Sequence, residues 1–212
     1  MQTGRVAGAP MMIGWFLVAR RAGRPASLIL AHVTELVIGP LLYAIVPGCG
    51  PAYAFPGRWL NPPAVEARTI RLSGMPNAFP SLHVGTALVF VLFAPTRLSR
   101  AIAVAFLAGT VMATLSTGEH YVIDGVAGLV FGCFTWAAGC RKWGLALGLG
   151  GLALAWPVAV RFGSGFLLEH PDLLKGCAGE TVLAAATIVV HAWLHTEPAA
   201  EFADAGALLE ER

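Results

Sequence analysis

Two short stretches hold the residue types that can do chemistry. They are Phe79-Pro80-Ser81-Leu82-His83-Val84-Gly85 and Gly118-Glu119-His120-Tyr121-Val122-Ile123-Asp124. His120 and Asp124 are spaced i and i+4, which on a helix puts them on one face. A carboxylate at that spacing can hold an imidazole in one tautomer and stabilise its protonated or substituted form. His120 is therefore a candidate nucleophile. Ser81 and His83 follow Pro80 at what reads as a helix start, where free amide hydrogens and the positive end of the dipole favour an anion. A second histidine there can pass a proton to a departing alcohol. Upstream, Arg58, Arg68 and Arg71 offer guanidinium groups, which bind phosphate oxygens two at a time. Together these residues suit phosphoryl transfer through a covalent phosphohistidine, with neither a metal nor a cofactor. Each cluster also has a plainer reading. A lone histidine at a membrane interface is more often structural than catalytic, and a His-x-x-x-Asp pair is also a helix ion pair or two ligands of a metal. No Cys/His spacing has the pattern of a zinc site.

The elements that must position these residues follow from composition. Of 212 residues, 57% are hydrophobic and 12% charged, with mean hydropathy +0.70. Soluble domains carry about 25% charged residues, so most of this chain must face something other than water. Several apolar runs approach the roughly 20 residues of a membrane span. The expected fold is all-α, a polytopic transmembrane bundle of about six membrane helices. It forms one domain over residues 1–196, followed by an acidic tail at 197–212. A net charge of +2 with no basic patch argues against a nucleic-acid partner. Membrane lipids and a lipid phosphate or phosphodiester are the partners expected.

Residues 6–19 form a short apolar piece, expected to be a partial or tilted helix left by a longer N-terminus. Arg20-Arg21 stands where a signal peptide would have a small-residue cleavage site. Residues 26–46 read as the first full span, stopped by Pro47-Gly48-Cys49-Gly50-Pro51. Glu35 lies mid-span; it is either functional or paired with His32 or Thr34. A proline-rich loop follows over 52–79. Helices are then expected at 81–94, 98–117, 119–139, 143–160 and 178–195. The glycine-rich 144–151 reads as a site of close helix packing. Residues 81–94 are short for a span, so either the bilayer is locally thin or the helix starts below the interface.

Basic residues set the orientation. With Arg20, Arg21 and Arg24 inside, the chain threads so that Arg97, Arg100, Arg141 and Lys142 are inside too, all near span ends. Loops 47–80, 117–119 and 161–177 fall outside. Both polar clusters then face the exterior of a cell membrane, expected to be a bacterial inner membrane. Cys49 and Cys177 share that side, where an oxidising compartment would permit a disulfide.

Phe79-Pro80-Ser81-Leu82-His83, followed by Gly118-Glu119-His120 and Asp124, resembles the phosphatidic acid phosphatase type 2 (PAP2) superfamily. The second motif of that family is Pro-Ser-Gly-His and its third ends in His-x-x-x-Asp. Leu82 is similar to the branch that includes inositol phosphorylceramide synthases. The resemblance covers about residues 58–128. It implies a helical bundle, His120 as nucleophile, Asp124 as its orienting partner, and His83 as general acid. It also implies a phosphate held by Ser81 and arginines, with Arg68 or Arg71 standing in for the family's first motif, Lys-x6-Arg-Pro. That motif is absent, since no lysine precedes Lys142, and the family's arginine six positions before the third-motif histidine is here Thr114. The function implied is a lipid-phosphate phosphatase or phosphotransferase, and the departures keep open a non-catalytic protein on the same scaffold. A transporter is disfavoured because the ionisable groups gather at one mouth rather than along a path. A haloperoxidase is disfavoured because those relatives are soluble.

Overall fold

The computed structural model describes residues 3–55, 58 and 78–195, with residues 3–9 described by their backbone alone. Arg68, Arg71 and the acidic tail lie outside the described residues. Among those described there are helices and no strand: α1 (Thr3–Arg21), α2 (Pro25–Ile45), α3 (Pro51–Ala54), α4 (Leu82–Phe93), α5 (Arg97–Ser116), α6 (Val122–Gly139), α7 (Trp143–Glu169) and α8 (Pro171–Leu194). The helices α2, α5, α6, α7 and α8 are long and apolar enough to cross a membrane, and α4 is a shorter apolar helix. The protein is a helical integral membrane bundle.

Two helices form the centre. α4 is buried along nearly its whole length, and α6 packs against α4, α2, α7 and α8. α4 has 12 residues, about 18 Å of helix, and its lower end stops inside the bundle. The last carbonyls of a helix have no partner within it, and lipid supplies none. Here two tryptophans do so: Trp15 Nε1 donates to the Phe90 carbonyl at 2.8 Å and Trp193 Nε1 to that of Val91 at 3.0 Å. Arg100 closes the same end, donating through Nε to the Ala94 carbonyl at 3.3 Å and lying over the Trp193 ring. The chain reverses here, and α5 is capped by Thr96, whose side chain and that of Ser99 cap each other's amides.

Glycines set how closely α4 and α6 approach. A Cβ on Gly128 would lie 2.4 Å from the Ser81 carbonyl oxygen, and one on Gly132 would lie 2.7 Å from that of Gly85. Backbone touches backbone along this seam, and it holds the start of α4 against the first turns of α6.

Several expectations are corrected. The first helix runs from Thr3 to Arg21 because polar residues at both ends of the apolar 6–19 piece continue it. No external loop spans 161–177. α7 continues to Glu169 and α8 begins at once with Pro171 in its first turn, where the fixed φ of proline suits a helix start. Little of the 144–151 stretch packs closely: a Cβ on Gly144, Gly148 or Gly151 would meet nothing within 4 Å, and only that of Gly150 would approach Phe134, at 3.1 Å. All four cysteines are free, so Cys49 and Cys177 do not pair.

Candidate active site

The two polar stretches meet at the end of the bundle opposite Arg100. α5 ends at Ser116, and the chain turns through Gly118, which has φ 70°. This left-handed conformation suits glycine. The Thr114 carbonyl then accepts the amides of Glu119 at 3.1 Å and His120 at 3.3 Å, which fixes the residues leading into α6. Tyr121 is extended, and α6 begins at Val122 rather than at 119. His120 and Asp124 therefore do not share a helical face. They meet across a capping turn: the Asp124 carboxylate accepts the Tyr121 amide at 2.7 Å, and its Oδ2 lies 3.5 Å from His120 Nδ1.

A shorter bond decides the state of His120. Its Nδ1 lies 2.7 Å from the carbonyl oxygen of Ala78. A carbonyl only accepts, so Nδ1 carries a proton, and in the neutral ring Nε2 keeps the lone pair. Nε2 lies 3.5 Å from Nδ1 of His83, with ring centroids 5.7 Å apart. His120 and Asp124 are buried, at 4% and 2% exposure, whereas His83 is exposed. Ala78 is itself held, since its amide donates to the Gly48 carbonyl at 3.1 Å. Sequence reasoning did not find Ala78, and had no signal to find it by, because any residue type can offer a carbonyl.

Ser81 is fully buried and caps α4. Its hydroxyl accepts the Val84 amide at 3.4 Å, and its own amide donates to the Asp124 carbonyl at 2.9 Å. Leu82 points away from the histidines, into the notch over Gly39 of α2. Arg58 is exposed and its guanidinium lies 6.0 Å from the centre of the Phe55 ring, outside the site. Thus His83, His120, Asp124 and Ser81 come together, while Arg68 and Arg71 lie outside the described residues. Thr114 lines a crevice of about 130 Å³ with Val84, Val111, His120, Tyr121 and Val126. Leu115 and Val122, on the same wall, are exposed on the outside of the bundle. Among the described residues no cluster of three His, Cys, Asp or Glu side chains could hold a metal ion.

The family model of the PAP2 superfamily matches residues 3–138, more than half of the chain. The chain belongs to the PAP2 superfamily. Members of this superfamily are generally phosphoesterases. No curated protein and no solved structure matches the chain. The PAP2 match takes in α1 to α6 and with them both histidine stretches; α7 and α8 lie beyond it.

Proposed function

We propose that this PAP2 protein is a lipid-phosphate phosphatase or phosphotransferase working through a phosphohistidine on His120. The observation that carries the reading is the bond from His120 Nδ1 to the Ala78 carbonyl, which leaves the Nε2 lone pair on the side of His83. Nε2 attacks phosphorus, the bond from phosphorus to the departing oxygen breaks, and His83 donates the proton that this oxygen needs. The ring of His120 then carries positive charge, stabilised by Asp124 at 3.5 Å and by the Ala78 carbonyl. In the second half, neutral His83 takes a proton from water or an alcohol, which attacks phosphorus and breaks the P–N bond. Phosphorus must lie between the nucleophile and the departing oxygen. The 3.5 Å contact between the histidines is therefore a closed resting arrangement, and the exposed ring of His83 turns aside to admit the phosphoryl group.

The crevice beside His120 supports a lipid-linked substrate. It is lined mainly by apolar side chains and is flanked by residues on the outside of the bundle. Arg68 and Arg71 are the proposed phosphate-binding cations, and Ser81 acts by capping the helix that carries His83. The placement of basic residues supports a site on the outer face of a bacterial inner membrane. Hydrolysis and transfer to an alcohol such as inositol share the phosphoenzyme. Leu82 is the residue that keeps the transferase branch in play, and product analysis with both acceptors present separates the two.

The test is trapping. Protein in detergent is mixed with radiolabelled phosphatidic acid or a lipid phosphodiester and quenched in base. Acid-labile phosphate is expected on the wild type and none on His120→Ala. Label that persists on a folded His120→Ala protein removes the assignment. No label from any lipid phosphate the protein binds favours the non-catalytic scaffold, for which Thr114, in the place of a family arginine beside His120, is the specific observation.

A further inference from the structure

Beneath the histidines lies a second polar group that the chemistry above does not use. Glu35 sits in α2 with 4% exposure, and both of its oxygens are engaged. Oε1 accepts a hydrogen bond from the Thr86 hydroxyl, and Oε2 lies 3.2 Å from His32 Nδ1. Thr34, on the same helix, instead donates to its own backbone, at the Leu30 carbonyl. Thr86 follows His83 by three positions on α4, so the two share one side of that helix. The carboxylate also lies against Gly85, where a Cβ would be in ordinary contact with Oε1 at 3.6 Å.

The state of His32 follows from its other nitrogen. Nε2 is buried with no hydrogen-bond partner. An imidazolium would leave a charged N–H without an acceptor there, which is costly in an apolar interior. A neutral ring donating from Nδ1 to Glu35 leaves only a lone pair unmatched. Both donors on Glu35 are then neutral, so an ionised Glu35 has no counter-charge among its own partners and favours a positive charge nearby. His83 is one helical turn above Thr86.

We infer that Glu35 is a positioning residue: through Thr86 it fixes the first turn of α4, and its charge favours the imidazolium form of His83. This rests on the reading of His83 as general acid. Burial and the neighbouring His120 hold the His83 imidazole below its ordinary value, and Glu119 and Glu35 act against them; on the α2 side Tyr43 stands near Glu35, and Asp124 near Tyr43. From α5 the site meets Val111 and Thr114, which do not titrate. α8 meets α4 at its other end, through Trp193.

The experiment is a pH titration of 15N-histidine-labelled full-length protein in detergent, with the His83 signal assigned by His83→Gln. Glu35→Gln keeps the shape and an acceptor for Thr86 but removes the charge. The His83 midpoint is expected to fall by about half a pH unit or more, roughly a threefold loss of proton affinity. The basic limb of kcat should move down in pH with it, because the acid form is lost sooner. Thr86→Val should lower kcat about tenfold with KM within about twofold, and Thr86→Ser should restore it. An unshifted His83 midpoint in folded Glu35→Gln overturns the inference. If that variant does not fold, a wild-type kcat in Thr86→Val does so instead. The titration needs no turnover, so its outcome is independent of the phosphohistidine. A wild type that forms phosphoenzyme while the midpoint stays fixed removes this inference alone.

Discussion

His120 has two candidates to hold its Nδ1 proton, and they are not equal. The Ala78 carbonyl is at 2.7 Å, within hydrogen-bond range, and Asp124 is at 3.5 Å. Where an aspartate alone sets the tautomer, replacing it by asparagine costs about four orders of magnitude in rate. Here the carbonyl keeps the tautomer. We expect Asp124→Asn to lower kcat only about 10- to 100-fold, or ~1.4–2.7 kcal/mol of barrier. The amide can still accept from Tyr121. Asp124→Ala loses the charge and also the cap of α6, and should lower the melting temperature as well. Equal kcat losses and equal stabilities in the two variants would refute this division of roles. The sequence made the meeting of His83, His120 and Asp124 legible, because histidine and aspartate are rare in apolar runs. It gave the wrong reason for their meeting. The spacing i, i+4 suggested a helix, but Gly118 and the extended Tyr121 delay α6 to Val122.

Elements act on the site through the seam between α4 and α6. Adding a methyl at Gly128 forces its carbon to within 2.4 Å of the Ser81 carbonyl, so the two helices must part. Overpacking of this kind costs about 1–3 kcal/mol, and a displacement of about 1 Å between reacting groups can cost about 100-fold in rate. Gly128→Ala should show both losses. Gly109, in α5, would meet nothing within 4 Å. Gly109→Ala should leave kcat unchanged and gain up to about 1 kcal/mol from helix propensity. A thermal melt and a kcat measurement on each variant check the pair; Gly128→Ala with wild-type kcat would refute the seam's role. Helix existence was legible in apolar run lengths. Helix ends were not, because Thr3–Arg5 and Arg161–Glu169 are polar enough to read as loop yet remain helical. Glycine spacing on α7 also misled, since spacing does not say whether a neighbour is present.

At the scale of the whole molecule, orientation in the membrane is the property to check. Cys177 is exposed near the start of α8, and Cys140 lies at the other end of the bundle beside Lys142. With the site facing outward, a membrane-impermeant maleimide added to intact cells should label Cys177 and spare Cys140. The reverse pattern would put the histidines inside. Membrane class was legible because lipid imposes long apolar runs on any sequence. What joins the parts was not. The carbonyl of Ala78 accepts from His120, which leads into α6, its amide donates to Gly48, which follows α2, and the residue leads into α4. Phosphate on Nε2 would make the Nδ1 hydrogen more acidic and draw harder on that carbonyl. An infrared band from 13C-labelled Ala78, assigned by its loss in Ala78→Gly, should therefore move to lower frequency as phosphoenzyme forms. A main-chain vibration at the junction of three helices would then report, in real time, which half of the reaction the histidine is in.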